Sequence, residues 1–367
     1  AWLINFTNPS GIITEFVLNN TNVKCIGLCN VPIDMLDDLK EITGDDVDIT
    51  YVGLNHLSWV TSVKKDGKEL LPGLIESGFS PKVMANIKDD GFSIDCLRTI
   101  QAIPSSYLQY YYCREAKLQH QREDPKTRAQ VCMEIEEQLL EIYKDENIVT
   151  KPALLDKRGG HKYSLVAVSL IDALANDKRD VQVVNVKNNG TLPFMADDDI
   201  IEVAAVIGSD GAHPVPVTEH INDHIIGLMR VVKTYEKYTV KAAIKGSDED
   251  AIKGLLVHPL VGDWEKAVNC FNAGLRHSRV QELVVPQGDV NGIVCQIFSG
   301  LFCPFGRTIG SDHDQNGNAG NHRSDQKIHR HSMQRPLPRR FLRPIENILR
   351  IRHIMGAAIR FFSGSQI

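Results

Sequence analysis

Apolar runs and turn residues alternate along the first sixty residues in an order that predicts strands and helices in turn. WLINF at 2–6 is a short apolar run closed by Asn8-Pro9-Ser10-Gly11, and IITEFVLNN follows with helical character, so the chain opens as strand, turn and helix. VKCIGLCN at 23–30 and DITYVGLNHLSW at 48–59 are two further strand-like runs. Between them Pro32 suits a first helical turn, and Ile33, Leu36 and Leu39 recur at helical spacing. WVTSVKKDGKELL at 59–71 reads as two short strands about Asp66-Gly67, a strong hairpin signal. After a mixed stretch over 72–103, PSSYLQYYY at 104–112 predicts a helix that would put Tyr107 on one face with Tyr110 and Tyr111. Amphipathic helices are predicted over 128–144, 164–177, 217–245 and 248–258, with strands at 181–187 and 200–208. The pattern is that of an α/β protein.

Two of the strand-like runs end on residues with chemistry. The first closes on Cys29-Asn30 and the second on Asn55-His56. In an open α/β sheet, ligands bind in the crevice beyond the strand ends. A thiolate and an imidazole suit Mn, Fe, Co, Ni or Zn, and two protein ligands alone leave coordination positions for a substrate. The alternative is a buried cysteine and a capping histidine. Similar choices stand elsewhere. Asn8-Pro9-Ser10-Gly11 is either an ordinary turn or a place where a phosphate meets a helix N-terminus. Gly159 and Gly160 allow close backbone approach for a ligand or for packing, and His161 and His213 read as structural histidines.

Composition narrows the class. The 367 residues suffice for a large core and for two domains or lobes, and no run approaches the roughly 20 apolar residues of a membrane span. Eight cysteines without a CxxC pair point to a reducing, cytoplasmic setting with inert buried thiols, and no signal peptide is expected. The net charge of −5 hides two unlike parts: 275–367 carries 13 Lys and Arg against 6 Asp and Glu, whereas 1–274 carries 28 against 40. With DHDQNGNAGNHRSDQ at 312–326 polar and aperiodic, the tail reads as shifted-frame or disordered sequence, the other reading being a basic arm for nucleic acid.

Seven motifs in order carry a resemblance: NFTNPSGIITE at 5–15, GLCNVPI at 27–33, GLNHLSW at 53–59, PSSYLQYYY at 104–112, KTRAQV at 126–131, KRGGHKYS at 157–164 and VVNVKNNG at 183–190. Together they resemble the NAD- and Mn-dependent glycosidases of glycoside hydrolase family 4, most of all the 6-phospho-β-glucosidase branch, over about residues 1–274. This family stands outside the usual two-carboxylate scheme for glycoside hydrolysis. The resemblance implies the remainder of a Rossmann-like dinucleotide-binding domain over 1–55, a substrate and dimerisation domain of α+β type over 56–274, and a lactate/malate dehydrogenase-like fold. It makes Cys29 and His56 the ligands of Mn²⁺ or another divalent metal and Tyr107 the catalytic base. Asn8, Asn30 and Arg128 become substrate-binding residues, with Arg128 on the sugar phosphate.

The implied reaction removes hydride from C3 of the sugar to NAD, takes the acidified C2 proton onto Tyr107, eliminates the aglycone at C1, adds water and returns the hydride. The substrate expected is a 6-phospho-β-glucoside such as cellobiose 6-phosphate, because Asn30 follows the metal cysteine where the α-branch has Asp. A homo-oligomer is implied, with subunit contacts on the helices of 217–258 and no membrane or nucleic-acid partner. No GxGxxG-like fingerprint stands in the chain, so no cofactor-binding residues are assigned, and the sequence is expected to begin downstream of the family's pyrophosphate loop and to be inactive without it. Two other classes remain open: a 2-hydroxy-acid dehydrogenase, which would want a His–Asp pair and an Arg for a carboxylate, and a non-catalytic fragment.

Overall fold

The first strand and the second run in the same direction because a helix carries the chain back between them. In the structure, a computed structural model that describes residues 1–79, 91–158 and 162–282, β1 (Trp2–Asn5) pairs in parallel with β2 (Lys24–Gly27). Helix α1 (Ser10–Asn20) makes the crossover that a parallel pair requires. It buries Ile12, Ile13, Phe16 and Val17. Each such side chain contributes about 1.5–3 kcal/mol when fully removed from water. Helix α2 (Val31–Thr43) follows β2 at once, with Pro32 in its first turn and Met35 and Leu39 buried.

The rest of the sheet is antiparallel. It comprises β3 (Asp48–Leu54), β4 (Leu57–Lys65), β5 (Lys68–Glu69), β6 (Ile103–Pro104), β7 (Asp180–Lys187), β8 (Ile200–Gly208) and β9 (Gly211–Pro214). The strand order is β1-β2-β7-β8-β3-β4-β5, with β6 on β4 and β9 on β8. Segments 1–55 and 56–274 therefore both feed one sheet, β7 and β8 of the second lying between β2 and β3 of the first. β7 and β8 are buried on both faces, which is why VVNV and IIEVAAVI lack a clean alternation.

The α/β class and most elements agree with the pattern of the chain. The Asp66-Gly67 hairpin forms, with both residues at positive φ. Three local expectations change. The helix expected from 217 begins at Asp223, because Asn222 caps it by accepting a hydrogen bond from the Ile225 N–H at 3.1 Å. The helix from Arg128 ends at Ile142. The tyrosine segment is a 3₁₀ turn, Ser106–Leu108, followed by a single α-turn, Gln109–Tyr112, so its rings diverge. Tyr112 takes a hydrogen bond from Trp59 Nε1 at 3.2 Å, while Tyr111 faces His258. Gly159, Gly160, His161 and the tail beyond Glu282 lie outside the described residues. No helix among the described residues is long and apolar enough to cross a membrane.

Candidate active site

Cys29 lies just past β2, where the chain turns into α2. Its sulfur meets the backbone N–H groups of Asn30 and Val31 and the side-chain amide of Asn55. Those donors favour the thiolate, as helix N-termini do. Burial outweighs them and, with repulsion from the Glu202 carboxylate, pushes the Cys29 thiol well up. Only a cation beside the sulfur would reverse that balance.

His56 reaches the same place from β3 and β4. Leu54 and Leu57 pair across the sheet, so Asn55 and His56 form a two-residue hairpin loop, and His56 has φ 65°. Gly53 permits the hairpin to close, since a Cβ there would collide with the Leu57 carbonyl and the Ser58 Cα. The His56 ring stacks on Tyr107, with centroids 4.0 Å apart and planes 18° apart. Burial pulls its pKa down to about 4, so near neutral pH the imidazole is uncharged and free to ligate.

Tyr107 completes this arrangement. Burial raises its phenol well above the ordinary value; Cys29, Tyr163 and Tyr110 add to that, and Arg128 opposes it. Arg128 stands at the N-terminus of its helix and donates from Nη2 to the carbonyls of Lys157 and Arg158 at 3.0 and 3.2 Å. Its Nε is buried with no hydrogen-bond partner among the described residues. The structure thus brings Cys29, His56, Tyr107 and Arg128 into one neighbourhood. Asn30 is buried beside Cys29 at the start of α2, and its amide donates to Asp34 at 3.4 Å. Asn8 is exposed in the β1–α1 turn. His213 pairs with Asp210 at 2.9 Å in the β8–β9 hairpin, where both side chains are exposed.

The residue that sequence reasoning missed is Glu202. It stands within the apolar strand IIEVAAVIG and is 1% exposed. It accepts from Tyr51 Oη at 3.2 Å, Asn55 Nδ2 at 3.1 Å and Asn185 Nδ2 at 3.0 Å. Burial nevertheless lifts its pKa to about 7. A lone carboxylate in an otherwise apolar strand was the signal that could have found it. A second buried group lies behind the site, where Lys233 pairs with Glu15 at 2.7 Å and with Glu236.

The donors themselves test the metal reading. Sulfur plus neutral imidazole fits a borderline divalent ion. Among the described residues no group of three His, Cys, Asp or Glu is arranged around an ion, so Cys29 and His56 would be its protein ligands, with positions left for water or substrate. Gly11, in the first turn of α1, lies close to Glu236 and Asn55, since a Cβ there would meet the Glu236 carboxylate at 3.3 Å and Asn55 Cβ at 3.5 Å.

An α/β fold with a thiol, an imidazole and a tyrosine at the strand ends defines a class of protein, and comparison identifies the family. Residues 1–44 match the model for family 4 glycosyl hydrolase, and residues 51–261 match that for the family 4 glycosyl hydrolase C-terminal domain. The chain belongs to family 4 of the glycosyl hydrolases. It is 36% identical over 271 residues to a probable 6-phospho-β-glucosidase of Bacillus subtilis, covering 71% of this chain and 61% of that protein. It is also 36% identical over 284 residues to the 6-phospho-β-glucosidase BglT of Thermotoga maritima, covering 76% and 67%. The solved Thermotoga 6-phospho-β-glucosidase with manganese, NAD⁺ and glucose-6-phosphate superposes with TM-score 0.64 at 34% identity, over 73% of this chain and 63% of that one. The chain thus spans about three fifths of the length of the Bacillus relative.

Proposed function

We propose that this chain serves the hydrolysis of 6-phospho-β-glucosides, such as cellobiose 6-phosphate, to glucose 6-phosphate and the aglycone. The observation that carries the reading is the meeting of Cys29, His56 and Tyr107, with the rings of the last two 4.0 Å apart. Cys29 and His56 would hold a divalent ion such as Mn²⁺, which when bound supplies positive charge where the sugar becomes anionic. Tyr107 Oη accepts the C2 proton. Burial first and Cys29 second raise its phenol, so it becomes a better base when that sulfur is neutralised and Arg128 stays close. Arg128 would offer the sugar phosphate its Nε, which has no partner among the described residues, in a charge-assisted bond that fixes C6. Asn30 and Asn8 serve the sugar hydroxyls and phosphate from the start of α2 and the β1–α1 turn.

NAD is carried over from the relatives' structures and is assigned to no residue of this chain. The division into 1–55, 56–274 and 275–367, subunit contacts on the helices Asp223–Lys245 and Asp248–Val257, and a cytoplasmic setting belong to the same proposal. Exposed Val231, Ile244 and Leu256 support contacts on those two helices. The test is aglycone release from a chromogenic 6-phospho-β-glucoside with NAD and Mn²⁺. It is run on the 367-residue chain and on a version joined to the segments of the Bacillus relative that the match leaves uncovered. Release that needs both cofactors is expected of the joined version; release of the α-anomer alone, or reduction of a keto acid by NADH, would contradict the reading.

A further inference from the structure

Glu202 is not explained by packing. It is 1% exposed between the fully buried Ile201 and Val203 in an otherwise apolar strand, where a carboxylate is costly to bury. Side chains from three strands converge on its carboxylate: Tyr51 and Asn55 from β3 and its turn, Ser58 from β4 and Asn185 from β7. Tyr51 Oη and Ser58 Oγ lie 2.6 Å apart, so the hydroxyls are linked as well. Among the described residues no Lys, Arg or His forms an ion pair with it. A buried carboxylate costs several kcal/mol unless something offsets its charge, and hydrogen bonds alone offset part of that.

The geometry says where the missing charge belongs. Asn55 donates from Nδ2 to Glu202 Oε1 at 3.1 Å, and the same side-chain amide is near enough to the Cys29 sulfur to favour its thiolate. Asn55 also precedes His56 in the two-residue loop. One amide therefore ties the carboxylate to the sulfur and to the loop that carries the imidazole. Asn185 Nδ2 holds the same Oε1 from the strand that pairs with β2 at Gly27, just ahead of Cys29.

We propose that Glu202 is a positioning residue for a divalent cation: through Asn55 it fixes Cys29 and the His56 loop, and its buried negative charge is the counter-charge that draws the cation between them. The inference rests on the metal reading of Cys29 and His56 given above. It commits Glu202 to no bond with the ion, only to the charge and the placement beneath it. Replacement by Gln preserves the shape. Oε1 can still accept from Asn55 and Asn185, and Nε2 can donate to the Tyr51 and Ser58 hydroxyls.

Cobalt is the probe, because a thiolate bound to Co²⁺ gives a ligand-to-metal charge-transfer band that reports the bond directly, apart from any turnover. The 367-residue wild type, Glu202→Gln, Asn55→Ser and Cys29→Ser are titrated with Co²⁺, and thermal unfolding of each metal-free protein is recorded. The expected result is a band in wild type, at least a tenfold weaker cobalt affinity in Glu202→Gln with an unfolding midpoint at or above that of wild type, and no band in Cys29→Ser. An unchanged affinity in a folded Glu202→Gln overturns the role of Glu202 and leaves the Cys29–His56 pair standing. Absence of the band in wild type overturns both. Should Glu202→Gln not fold, Asn55→Ser decides, since it keeps the charge and cuts the link: weaker cobalt binding at a native midpoint supports the proposal, and unchanged binding overturns it.

Discussion

The imidazole of His56 lies flat against the phenol ring of Tyr107, centroids 4.0 Å apart and planes within 18°. These residues are 51 positions apart in the chain, and the hairpin at Asn55–His56 and the 3₁₀ turn at Ser106–Leu108 are what bring them together. The proposed ligand and base therefore share one wall, and a change in either ring should be felt by the other.

Tyr107→Phe is expected to leave stability within about 0.5 kcal/mol, because the Tyr107 hydroxyl makes no hydrogen bond to a described residue. It should reduce solvent-deuterium incorporation at C2 of the bound sugar by about 100-fold or more. Tyr112→Phe should behave in the opposite way. Its hydroxyl accepts from Trp59 Nε1 at 3.2 Å and lies 2.9 Å from His224 Nε2. Losing it leaves a buried indole N–H unpaired at a cost of about 1–3 kcal/mol, with exchange at C2 retained. Chemical denaturation and mass-resolved exchange separate the two.

The contrast between those tyrosines marks how far the sequence could be read. Strand and helix positions were legible because periodicity and turn residues act locally, and the pairing of Cys29 with His56 was suggested by two apolar runs ending on ligating residues. The sheet order was not legible. Nothing local in VQVVNVK or IIEVAAVIG says that these strands insert between β2 and β3 and so carry Asn185 and Glu202 under the site. Nor does spacing reveal that YLQYYY breaks from a 3₁₀ turn into a short helix and sends its rings to different partners. Both outcomes are tertiary choices that override local preference.

His258 predicts a pH dependence of stability. It is buried against Tyr111 and Tyr235, its Nδ1 accepts from the Leu260 N–H at 3.3 Å, and burial pulls its pKa down to about 4. Its folded pKa is below the unfolded value near 6.5. Above that value both states are neutral and its contribution is complete. As pH falls from about 6.5 toward about 4 the unfolded chain binds the extra proton, and up to about 3 kcal/mol is lost at roughly 1.4 kcal/mol per pH unit. His258→Asn keeps an acceptor for Leu260 and should flatten that part of the curve. An unchanged slope between pH 6.5 and 4 in the variant would assign the loss to other groups.

Lys233 is buried between Glu15 at 2.7 Å and Glu236. Lys233→Met leaves both carboxylates in the interior without a cation, and a loss of about 3–5 kcal/mol is expected. The exposed pair Lys253–Glu249 at 2.6 Å is the control, since Lys253→Met should cost no more than about 0.5 kcal/mol. Equal effects in the two variants, measured by urea unfolding at one pH, would mean that the buried triad holds no more than a surface pair.

If Cys29, His56 and Tyr107 form one metal-bearing site, a paramagnetic ion bound there must broaden the Tyr107 signal. The chain is labelled with 3-fluorotyrosine, the Tyr107 signal is assigned by its absence in Tyr107→Phe, and Mn²⁺ is added in substoichiometric steps. The Tyr107 resonance is expected to broaden first, and Cys29→Ser or His56→Ala to restore its sharpness at the same Mn²⁺ concentration. A Tyr107 line that stays sharp while others broaden, or that broadens equally in both variants, would contradict a shared site.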